Sequence, residues 1–94
     1  MTRDQDDVES GQVDRARARA ATARLSAVEQ MILRGIANGE SSKSMGALLE
    51  IQISAIEDLR AILMSKINAG STADAVRIAL LAGMGERLDR TNPH

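Results

Sequence analysis

Residues 41–66 read SSKSMGALLEIQISAIEDLRAILMSK. Ser41 or Ser42 can cap a short helix ending near Leu49, with Met45, Leu48 and Leu49 at inward spacing. Glu50–Gln52 is the turn. Ser54 and Glu57 stand three apart, the spacing of a capping box, in which hydroxyl and carboxylate satisfy the first unpaired amides of a helix. The helix so opened is predicted to run to about Asn68, with Ile56, Leu63, Met64 and Ile67 as its core stripe. Two helices joined by a turn of about three residues are what a helix-turn-helix requires.

Working outward, the same signals recur on both sides. Ser26 and Glu29 form a further capping box, opening a helix to about Asn38 that Gly39 closes in the left-handed conformation. Its inner positions are Ile32, Leu33, Ile36 and Ala37, while Val28 and Met31 lie outside that stripe. Gly70 interrupts the chain, and Ser71 with Asp74 opens a last helix through Ala82, closed by Gly83. Residues 25–84 are therefore predicted to be an all-α four-helix helix-turn-helix bundle, with no strand-like alternation.

The flanks read differently. Residues 1–14 carry Asp4, Asp6, Asp7, Glu9 and Asp14 against Arg3, and residues 15–24 carry Arg15, Arg17, Arg19 and Arg24 with no acid. The expectation for residues 1–24 is a flexible or partly helical extension, acidic and then Arg/Ala-rich: residues 1–12 as a disordered acidic tail, 13–23 as a marginal helix or a basic arm. Residues 85–94 are expected to be a polar tail.

Composition excludes several chemistries. The chain has 94 residues, 44% hydrophobic, with no Phe, Tyr or Trp. A core of that kind draws its burial from many aliphatic contacts, and the stacking platforms of single-strand and RNA binders are missing. There is no cysteine, and the one histidine is His94. Neither a disulfide framework nor a metal site is expected, and no cofactor. No nucleophile–base pair can be assembled, and Glu57 and Asp58, being adjacent, diverge by about 100° on a helix. An enzyme is not expected. Without an apolar leader or a span of roughly 20 apolar residues, the expected location is cytoplasmic.

The ordered set Leu25, Ser26, Glu29, Leu33, Ile36, Ala37 and Gly39, then Ser41, Lys43, Met45 and Leu49, then Ile51, Ile56, Arg60, Lys66 and Ile67, and finally Asp74, Val76, Arg77 and Ala79 resembles the LuxR-type (GerE-like) DNA-binding domain of bacterial regulators. The resemblance covers about two-thirds of the chain. It implies that the third helix of the bundle enters the DNA major groove and that the fourth pairs with a second subunit. On that basis Lys43, Ser54, Arg60 and Lys66 are the expected DNA contacts, and Val76, Ile78, Leu80 and Leu81 the expected dimerisation residues. The expected partners are duplex DNA and a second copy or a related helix-turn-helix protein, with no membrane and no small-molecule substrate.

The sequence departs from that family at the reading helix. Ala55-Ile56-Glu57-Asp58-Leu59 puts Glu57 where a lysine is usual, with Asp58 beside it, and carboxylates facing phosphates repel. Apolar Ile53, Leu59 and Ile62 replace common polar side chains, leaving that helix apolar around most of its circumference. Lys66, near a helix C-terminus, also suits the helix dipole, a purely structural role. Two functions remain open. One is a stand-alone transcriptional regulator that binds duplex DNA as a dimer. The alternative is a degenerate helix-turn-helix that does not bind DNA and acts as a protein-interaction module or antagonist of another regulator.

Overall fold

The computed structural model describes residues 14–84, which form five helices. These are α1 (14–23), α2 (Ala27–Ala37), α3 (Ser42–Leu49), α4 (Ile53–Lys66) and α5 (Thr72–Leu81). The acidic residues 1–12 and the polar tail 85–94 lie outside the described residues. Helix α2 is central, packing against both α5 and α4, and α3 packs against α4. Ile32 and Leu33 of α2 meet Ile56 and Leu63 of α4 as the largest wholly buried side chains. Each is worth roughly 1.5–3 kcal/mol of burial.

The helix ends follow local chemistry. Ser26 Oγ accepts from the Glu29 amide at 3.2 Å, and Glu29 Oε1 accepts from the Ser26 amide at 2.8 Å, completing the expected capping box. At the other end of α2, Gly39 takes φ 82°, open to glycine at no steric cost. Ser41 caps α3 by accepting from the Ser44 amide. Ser71 caps α5 through the Asp74 amide, while Asp74 reaches back to the Gly70 amide.

Two expectations need correction, and one left open is decided. Of the marginal helix and the basic arm open for residues 13–23, the structure has a helix over 14–23, in which Ala18 and Thr22 are only 4% and 7% exposed. Ala18, Ala21, Thr22 and Leu25 recur every three or four residues, a stripe narrow enough to be missed but small enough for close approach. Gln30 Nε2 donates to the Thr22 carbonyl at 3.1 Å, tying the end of α1 to α2. The four helices expected over residues 25–84 are α2–α5, with α1 packed ahead of them.

Ser54–Glu57 is not a capping box. Helix α4 begins at Ile53 with Gln52 in the extended N-cap position and no side-chain cap. Ile53 enters the helix because it lies close to Gly46 of α3, which fixes the start ahead of Ser54. Helix α4 ends at Lys66, close to the expected Asn68, and Asn68 itself turns the chain at φ 58°. The Ala69 amide then donates to the Met64 carbonyl at 2.9 Å, a C-terminal cap that Asn tolerates well. Lastly, Leu48 is not inward but 70% exposed, since α3 turns Met45 and Leu49 toward the core.

Glu29 also receives Lys66 from the far end of α4, with Nζ 2.9 and 3.0 Å from its two carboxylate oxygens. The lysine hydrogen bond and the Ser26 amide hold the Glu29 carboxyl below its ordinary pKa, outweighing its burial. Because the folded state binds this proton less tightly than the unfolded state, the stabilisation is complete at neutral pH. It fades as pH falls through the acid range. Glu29→Gln is expected to cost about 1–2 kcal/mol at pH 7, the outward part of Lys66 keeping the value low. Urea unfolding followed by far-UV circular dichroism should show wild type and variant converging in stability at acid pH.

Candidate nucleic-acid interface

Helices α3 and α4 with the turn Glu50–Gln52 form the helix-turn-helix. The turn is made by two features. Glu50 adopts the left-handed conformation at φ 58°, and the Ile51 amide donates to the Gly46 carbonyl at 3.0 Å. Gly46 is buried, and a β-carbon there would come 2.7 Å from the Ile51 carbonyl oxygen. The absent side chain is what lets the turn fold back on α3 and bring α4 into contact.

Within this frame the expected DNA contacts separate into two groups. Lys43 is exposed in the first turn of α3, and Ser54 is exposed in the first turn of α4. Arg60, two turns along α4, is half-buried. These three stand on the two packed helices of the motif. Lys66 is elsewhere: twelve residues beyond Ser54, about 18 Å along the axis, its ammonium held by Glu29. Its structural role is explicit in the geometry.

The outer face of α4 carries Ser54, Glu57, Asp58, Ala61, Ile62 and Ser65, all exposed. Glu57 and Asp58 make no ion pair among the described residues. Of the extra apolar residues, Ile53 and Ile62 are 49% and 46% exposed, whereas Leu59 is half-buried against the core. Helix α4 is thus neither buried all round nor a basic reader. Its outer face is short, mixed and locally acidic near its middle.

The residues expected to pair subunits also divide. Ile78, only 8% exposed, belongs to the chain's own core with Ala75 and Ala79. Leu80 is 56% exposed, and Val76 and Leu81 are half-buried. Arg77 is held by Asp74, Nη2 to Oδ1 at 2.9 Å. Arg34 Nε donates to the Met84 carbonyl at 3.3 Å, fastening the end of α5 to α2.

Among the described residues no group of three or more His, Cys, Asp and Glu side chains could hold a metal ion. No helix among them is long and apolar enough to cross a membrane.

A central α2, a tight α3–α4 unit and a closing α5 define a helix-turn-helix domain of the kind carried by bacterial regulators. Residues 23–79 match the family model GerE, described as bacterial regulatory proteins, luxR family. The chain belongs to that family. It is 35% identical over 85 residues to the transcriptional regulatory protein FixJ of Azorhizobium caulinodans, the match taking in 88% of this chain and 40% of the relative. The chain thus spans about two-fifths of the length of the curated relative it matches. No solved structure matches it.

The turn geometry fixes the sign of one substitution. Ala in place of Gly ordinarily stabilises an internal helix position by up to about 1 kcal/mol. Gly46→Ala is instead expected to destabilise by about 1–3 kcal/mol, because its β-carbon meets backbone that cannot yield without moving the turn. Thermal unfolding of the variant checks the direction.

Proposed function

We propose that this chain is a transcriptional regulator that binds duplex DNA through α4 and pairs with a second copy or a related domain through α5. The observation that carries the reading is the α3–turn–α4 unit, with one side of α4 free to enter a groove. Family membership and the likeness to a transcriptional regulatory protein support it.

Lys43 and Arg60 are the cations that hold phosphates, with Ser54 donating a hydrogen bond at the groove edge. Lys66 contributes indirectly, by fixing the far end of α4. Glu57 and Asp58 oppose the approach of phosphates, so affinity is modest and strongly salt-dependent. On α5, Leu80 with Val76 and Leu81 forms the pairing surface, and Ile78 backs it from the core. A protomer with Leu80 so exposed gains from covering it.

The test is binding to mixed-sequence duplex DNA across a salt series. Arg60→Ala is expected to weaken binding by about tenfold or more, and an unchanged affinity would remove Arg60 from the interface. Lys43→Ala should lower the salt slope by about one phosphate contact. Glu57→Lys should tighten binding at every salt concentration. Failure of both wild type and Glu57→Lys to bind at low salt would transfer the motif to protein interaction instead.

Sedimentation velocity tests the pairing. Leu80→Asp is expected to shift the chain to monomer at concentrations where wild type is dimeric, with its helix content unchanged. Wild type sedimenting as a monomer at high micromolar concentration would overturn the α5 surface.

A further inference from the structure

Outside the helix-turn-helix, arginines at α1 face cations of α4 and α5. Arg17 on α1 and Arg24, just past its end, border a cleft of about 310 Å³ together with Lys66 and Arg77. Two carboxylates share the cleft, Asp14 and Asp74. Four cations line the cleft, and with Glu29, which holds Lys66, three carboxylates act on them, leaving an excess of one positive charge.

Two of the four cations are already paired. Asp74 is committed to Arg77 and to the Gly70 amide. Lys66 faces Glu29, yet its side chain remains 42% exposed. Arg17 and Arg24 make no ion pair among the described residues. The unpaired positive charge at the cleft, among the described residues, is therefore that of Arg17 and Arg24, while the side chains of Lys66 and Arg77 stay partly open to solvent. Helix α1 is held to the bundle mainly by small side chains such as Ala18 and Thr22, which bury little area.

We propose that this cleft binds a free phosphate group, as inorganic phosphate, pyrophosphate or a small phosphate ester, and that the ligand clamps α1 onto α4 and α5. Guanidinium forks bind phosphate oxygens bidentately, and Arg17 and Arg24 present two such forks at the cleft. Lys66 and Arg77, held by Glu29 and Asp74, add further N–H donors from the opposite wall. A duplex backbone is the wrong shape for a recess of this size, and the cleft lies about 18 Å along α4 from Ser54, at the other end from the groove-reading turn. The inference stands whether or not the chain binds DNA.

Thermal unfolding of the full chain, followed by far-UV circular dichroism, tests the site with sodium pyrophosphate from 0 to about 10 mM against sodium chloride at matched ionic strength. Pyrophosphate is expected to raise the midpoint saturably, by about 3–6 °C, and chloride to leave it nearly unchanged. The double variant Arg17→Ala/Arg24→Ala should keep its helix content and lose the response. An equal rise with chloride, a rise that survives in the double variant, or no rise at all would overturn the site. So would a double variant whose only change is a smaller salt slope with duplex DNA, which would assign those arginines to the duplex.

Discussion

One buried carboxylate joins the parts of this domain. Glu29 accepts from the Ser26 amide, closing the N-terminus of α2, and accepts the Lys66 ammonium on both oxygens. The first bond is local and the second spans 37 residues, so the same group fixes a helix end and the angle at which a distant helix leaves the core. Burying that carboxylate without partners would be costly. With them it becomes a fixed point. Helix α2 supplies the central packing surface, and the far end of α4 is anchored to it, which leaves the near end of α4 to be placed by the turn. The reading helix is thus held at both ends by different means: a charge pair at one and a close backbone approach at Gly46 at the other.

How much of this could be read beforehand depended on the range of the interaction. Ser26 with Glu29, Ser41, Gly39, and Ser71 with Asp74 were legible because caps are written within three or four residues. The turn at Glu50–Gln52 was legible for the same reason. Ser54–Glu57 had the right spacing and the wrong outcome, because the start of α4 is set by Ile53 against Gly46, a contact between helices. The docking of α1 was hidden because its inward residues are Ala18, Ala21 and Thr22, whose small size mutes any apolar stripe. Leu48 misled in the opposite sense: its spacing is right for the core, but α3 turns Met45 and Leu49 toward it instead.

The candidate interface was legible in kind more than in detail. Two roles were open for Lys66, and its distance to Glu29 favours the structural one. Ile78 could have faced a partner by periodicity alone, but the core uses it. What remains outward is a small set: Lys43, Ser54 and the half-buried Arg60 on the helix-turn-helix, and Leu80 on α5. The acidic pair Glu57 and Asp58 sits among them in full view of solvent, where electrostatics act on encounter and salt response more than on fold. Any activity of this surface is balanced between a few cations and two carboxylates on neighbouring residues.

The four connections between consecutive helices are residues 24–26, 38–41, 50–52 and 67–71, none longer than five residues. Only α3 and α4 pack closely as consecutive helices, whereas α2 makes its main contacts with α4 and α5, further along the chain. Helical domains of this type nonetheless fold on the order of microseconds to milliseconds. There are no strand edges among the described residues to pair with other chains on the way. A core without a single aromatic ring draws its burial from aliphatic side chains alone, and quick assembly shortens the time in which those side chains are open to a neighbouring chain.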